Sequence, residues 1–161
     1  MDETFRLHVR AIAAEGKGES IAGSVFLPFV TLDSGARVGT DADGTFVLAS
    51  AEGDTITPYS AEDAHVFHEV LEWKRDRFDD KLDEAGRALG LPEFEASLAF
   101  PAFGVVRAVL AKNMNYTTLL ALAWLRPSEL REVQADIRRV AGDKRLPTST
   151  REFAQRLVVP S

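Results

Sequence analysis

Apolar residues recur at Ala64, Phe67, Leu71, Phe78, Leu82, Ala85 and Leu89, in steps of three, four and seven. At about 100° per residue they fall in one stripe, widened by Val66, Val70 and Trp73. The spacing predicts one long helix over 60–90. Ser60 or Thr57 would cap it, Glu62 and Asp63 would meet its positive end, and Gly90 would stop it in a left-handed conformation. Opposite the stripe lie His65, Glu72, Asp76, Asp79 and Asp83, flanked by His68 and Glu69. Such a surface repels itself unless water, a cation or a basic partner screens it.

Before this stretch the pattern has period two. Phe5, Leu7, Val9, Ala11 and Ala13 alternate with Arg6, His8 and Arg10, which predicts a strand with one wet face. Glu15–Ser20 reads as a turn. Ile21–Leu32 reads as a strand that Pro28 breaks or bulges. Ala36–Thr40 and Thr45–Ser50 follow as short strands, and Thr55–Thr57 leads into Pro58 and the long helix. The Asp41-Ala42-Asp43-Gly44 turn resembles a calcium loop only in part, because Gly39 and Ser50 stand where its first and closing ligands would be. A meander of four to five antiparallel strands needs a cover for its apolar face, and the long helix is the expected cover.

After Gly90 the chain reads as helical. One helix runs from Phe100-Pro101 towards Asn113, and Asn115 opens an all-round apolar one up to Leu125. Pro127 sits in the first turn of a helix ending at Gly142. Ser149-Thr150-Arg151-Glu152 reads as a capping box for a last helix. The expectation is an α+β chain forming a single domain over 1–161. It has a β-rich part at 1–58, the long helix at 60–90 and a helical part at 97–158.

Composition narrows the chemistry. The chain has 161 residues, is 45% hydrophobic and contains no cysteine, so it can bury a core without disulfides and has no thiolate nucleophile or thiolate metal site. The start, Met1-Asp2-Glu3-Thr4-Phe5-Arg6, lacks the basic start and apolar run of a secretory signal, and no apolar run reaches membrane-spanning length. A reducing cytoplasm and no membrane contact are the expectations. The net charge of −6 argues against a general nucleic-acid coat. It hides an asymmetry, because the acids concentrate before residue 105 and the bases after it.

Three sets of residues could carry function. The acidic face, Glu69, Glu72, Asp76, Asp79 and Asp83, would bind a protein partner with a basic surface, and homo-oligomerisation is left open. His65 and His68, one turn apart beside Glu62, Glu69 and Glu72, could share a metal in a metal-dependent hydrolase. Their order, however, does not place a Glu between the two histidines as zinc-protease helices do. The basic residues of the last two helices, Arg131, Arg138 and Arg139 among them, would serve nucleic acid, though their connection is too long for a helix-turn-helix. Lys74 falls within the apolar stripe, where a lysine must snorkel or pair. No serine–histidine–carboxylate arrangement is recognisable. The first reading, a non-catalytic binding or regulatory protein without a cofactor, is the expectation.

Overall fold

The computed structural model describes residues 3–160. Met1 and Asp2, which open the charged start, and Ser161 lie outside them. The protein is α+β, with an antiparallel sheet near its N-terminus followed by helices. It divides into two compact units. Unit 1 comprises residues 1–60 and 73–101; unit 2 comprises 61–72 and 102–161.

Unit 1 opens with a helix, α1 (Glu3–Ala14), where alternation had predicted a strand. The buried residues are Phe5, Val9 and Ile12, spaced four and three. Leu7, on the apolar side of the alternating pattern, is 56% exposed. The helical period governs because those three side chains bury fully, while Ala11 and Ala13 add little apolar area to either pattern.

Five strands follow in the order of the sequence: β1 (Glu19–Ile21), β2 (Ser24–Thr31), β3 (Arg37–Thr40), β4 (Phe46–Ala49) and β5 (Ile56–Pro58). Every neighbouring pair is antiparallel. The turn joining β1 to β2 lies at Ala22-Gly23, both at positive φ, rather than within 15–20. The register of β2 on β3 shifts between Pro28 and Val30, the irregularity that a proline lacking an N–H imposes. At the β3–β4 hairpin, Asp41 Oδ1 accepts from the N–H groups of Asp43 and Thr45, and Gly44 takes φ 83°. Those bonds make Asp41 a turn residue. Phe46 and Val47, adjacent on β4, are both buried, so the sheet is apolar on both faces. On one face Ile21 of β1 and Ile56 of β5, the two edge strands, join Phe26, Val47 and Ala49 in a single cluster, which requires the sheet to curl. On the other face Phe46 stacks on Phe5 and meets Phe29 and Phe100.

The predicted long helix is two pieces belonging to different units. Ala64–Glu72 is a 3₁₀ helix of unit 2, and α2 (Arg75–Leu89) is an α-helix of unit 1. Between them Lys74 is extended, at φ −64° and ψ 137°, and exposed. With three residues per turn, the buried row on the first piece is Ala64, Phe67 and Val70. On α2 it is Phe78, Leu82 and Gly86. A single helix would keep one phase through both rows; the break lets each piece keep its own. Of the two, α2 packs on β2 and provides the expected cover. It ends as expected at Gly90, whose left-handed φ of 95° lets the N–H groups of Gly90 and Leu91 reach the carbonyls of Arg87 and Gly86. A short helix, α3 (Glu95–Ala99), packs on α2 and α1.

Unit 2 is helical. The 3₁₀ helix Ala64–Glu72 packs on α4 (Ala102–Lys112) and α5 (Asn115–Trp124). A second 3₁₀ helix, Pro127–Val133, leads into α6 (Gln134–Gly142), and α7 (Thr148–Arg156) packs on α5 and α6. Asn115 is the first helical residue of α5 and Met114 its cap. The capping box expected at Ser149–Glu152 does not form: α7 starts at Thr148, with Pro147 in the cap position and no side-chain cap. Among the described residues no helix is long and apolar enough to cross a membrane.

Candidate protein-docking site on α3

The α3 helix of unit 1 has only five residues and cannot be stable alone. Side chains hold it on several sides. Glu95 Oε1 lies 2.7 Å from His8 Nδ1 of α1. Ala96 is buried opposite Gly86 of α2, where an added Cβ would come within 3.4 Å of its methyl group. Ser97 donates twice to Asp83 of α2, from its N–H at 3.0 Å and its hydroxyl at 2.7 Å. Ala99 and Phe100 are buried, and the Phe100 ring meets Phe46 and Phe78 edge-on.

With 95, 96, 97, 99 and 100 engaged, Phe94 and Leu98 are left. Leu98 is 82% exposed and Phe94 59%. Phe94 caps α3, Leu98 lies within it four residues on, and Leu98 N–H donates to Phe94 O. Phe94 takes φ 65°, a conformation that costs a bulky residue on the order of 1–3 kcal/mol. A strained backbone thus displays an aromatic ring beside a leucine on a rigidly held element. Aromatic anchors on preorganised elements are what protein recognition concentrates its energy in.

The residues of the expected acidic face belong to two units. Glu69 and Glu72 lie on the 3₁₀ helix of unit 2; Asp76, Asp79 and Asp83 lie on α2 of unit 1. Glu72 and Asp76 are exposed, and Glu69 and Asp79 are half-buried. Asp83 corrects the expectation of a wet side chain: it is 6% exposed and bound to Ser97. Its helical position, read against the stripe of Phe78 and Leu82, pointed to solvent; α3 packs on a second side of α2, where Asp83 and Gly86 are buried.

His65 and His68 do share one face, because residues three apart eclipse in a 3₁₀ helix. They line a small recess of unit 2 with Val109, Lys112, Met114 and Thr117. His65 Nδ1 is buried and has no hydrogen-bond partner among the described residues. No group of three or more His, Asp or Glu side chains able to hold a metal occurs among the described residues. The recess therefore offers two imidazoles beside an ammonium group, whereas a hydrolytic metal needs three ligands and an open position.

The three arginines separate as well. Arg131 and Arg138 line one open cleft of unit 2. Arg139 is structural: it donates to Asp136 Oδ1 at 2.8 Å and to the Leu110 carbonyl at 2.6 Å. The fold also redistributes charge. Unit 1 has nine Lys and Arg against sixteen Asp and Glu, a net −7; unit 2 has ten against nine, a net +1. The acids of 61–72 join the basic helices and nearly neutralise them.

The sequence reading missed Phe94 and Leu98. They continue an apolar spacing from Leu91 to Ala102, so nothing in the sequence sets them apart from a buried stripe. Comparison with family models, with curated proteins and with solved structures finds no match to this chain.

Proposed function

We propose that the chain is a non-catalytic binding protein of the cytoplasm. It docks Phe94 and Leu98 into an apolar pocket on a partner protein with a basic surface. The observation that carries this reading is the exposed Phe94–Leu98 pair on an otherwise fully engaged α3. The −7 charge of unit 1 selects the partner's sign, and the exposed acids of α2, Asp76 among them, add long-range attraction. Like charge on a second copy disfavours self-association through this unit. The absence of cysteine suits a reducing compartment.

The test is site-specific photocrosslinking in cells of the native host. A photoreactive phenylalanine replaces Leu98, and in a control it replaces exposed Ala123 of unit 2. The expected product is one protein with an excess of Lys and Arg, crosslinked from position 98 only. It is lost in Phe94→Ala and weakened in Asp76→Lys. The same products from both positions, or only a dimer of the chain itself, would defeat the proposal.

A further inference from the structure

The open cleft of unit 2 is lined by Arg131, Gln134, Arg138, Val159 and Pro160, and has a volume of ≈ 360 Å³. Its outer wall is fixed in place. Gln134 Nε2 donates to the carbonyls of Leu130 at 3.0 Å and Leu157 at 3.1 Å, and its Oε1 accepts from Val159 N–H at 2.9 Å. Both amide N–H groups of Gln134 are thereby used. Arg138 Nη2 donates to the Val159 carbonyl at 3.3 Å, which leaves most of its five donors unused. Arg131 makes no hydrogen bond or ion pair with any described residue. None of the five lining residues is acidic. Among the described residues, two arginines thus line one cleft that no carboxylate lines.

We propose that this cleft binds a small molecule carrying two anionic groups, of the diphosphate class. Each guanidinium forks onto one group in the paired geometry that favours arginine over lysine. The volume lies in the range of small-molecule sites. A long polyanion is the weaker fit. Of the bases that made a nucleic-acid surface plausible, Arg139 is bound to Asp136 and Leu110, Arg145 pairs with Asp143, and Arg151 donates to the Leu146 carbonyl. Two guanidinium groups with donors to spare suffice for one ligand but do not make a track for a phosphate backbone.

The probe is inorganic pyrophosphate, titrated calorimetrically into the full chain. A labelled ten-residue single-stranded deoxythymidine oligomer is titrated in parallel, both at about 50 mM and about 200 mM salt. The expected result is one-to-one pyrophosphate binding that weakens about tenfold or more in Arg131→Ala, the loss of a charged bidentate contact. Because Arg131 holds nothing in the fold, the melting temperature of that variant stays at the native value. Arg138→Ala weakens binding too, and Lys144→Ala, outside the cleft, leaves it unchanged. Three results would overturn the proposal. These are no pyrophosphate binding at millimolar concentration, an affinity within twofold of native in Arg131→Ala, or oligomer binding that is tighter than pyrophosphate and collapses with salt.

Discussion

The rings of Phe5 and Phe46 lie 5.4 Å apart and 7° from parallel, and both residues are fully buried. This contact fastens α1 to β4, and Phe100 meets the same Phe46 ring edge-on at 5.2 Å. Replacing Phe46 with alanine removes the ring that α1, β2 and the end of α3 share. The expected loss is about 3–5 kcal/mol, read from the urea midpoint, with the larger value if the cavity does not collapse.

Gly39 and Gly142 should respond oppositely to alanine. A Cβ at Gly39 would stand 2.2 Å from the Leu27 carbonyl oxygen and 2.7 Å from the Phe26 ring, contacts that backbone and a buried ring cannot relieve. At Gly142, the last residue of α6, nothing lies within 4 Å. Gly39→Ala is expected to leave unit 1 unfolded or aggregated. Gly142→Ala is expected to raise stability by up to about 1 kcal/mol. Circular dichroism and thermal melts of the two variants check both.

Phe94→Gly separates strain from recognition. Glycine accepts the left-handed backbone that phenylalanine resists, so stability should rise by roughly 1 kcal/mol or less, offset in part by the freer unfolded chain. The crosslink from position 98 should disappear at the same time. A variant that melts no lower yet fails to capture the partner assigns the ring to binding rather than to packing.

Asp83→Ala should act in the reverse sense. It strips the N–H and hydroxyl of Ser97 of their shared acceptor, at about 2–3 kcal/mol, measured by chemical denaturation. Asp83→Asn keeps one acceptor oxygen and should lose less. Partner capture should weaken in Asp83→Ala because α3 loses its hold on α2, although Asp83 itself faces no solvent.

Acid titration should reveal Asp143. The Arg145 side chain, then the Arg145 backbone N–H and the Asn113 amide, hold its carboxyl well below the usual carboxylate range. A folded value below the unfolded one stabilises the protein fully above the unfolded value, near pH 4, and the contribution is lost as pH falls towards the folded value. Glu19, held down chiefly by its bond to Arg37, acts in the same direction. Urea midpoints taken downwards from about pH 5 should fall less steeply in Asp143→Asn than in the native protein.

The α+β class and strands β2 to β4 could be read from the sequence because turn chemistry and period-two patterning agree there. At α1 two periods fit the same letters, and only burial distinguishes Phe5, Val9 and Ile12 from Phe5, Leu7 and Val9. The long helix failed at Trp73-Lys74, where no proline or glycine marks the break. The stripe runs past it because Leu71 and Phe78, seven apart, fit one helix as well as two. Asp83 was misplaced because α3 covers a second side of α2, which the spacing of α2 alone does not show. For Phe94 and Leu98 the difficulty is physical: two apolar residues in a short helix look the same whether they face a core or solvent.

The chain's path sets a timetable. It leaves unit 1 after Ser60, returns at Trp73 and leaves again after Pro101. On the ribosome the segment 61–72 emerges with Phe67 and Val70 uncovered, and the helices that bury them, α4 and α5, are encoded through residue 124. At ordinary elongation speed the wait is roughly 3–10 seconds. The meander likewise stands without α2 until that stretch of chain has been made. Nascent protein halted near residue 72 should therefore be the species most readily held by chaperones and cut by proteases. Synonymous changes that slow translation just beyond that point should lower the yield of folded protein without altering a single contact in it.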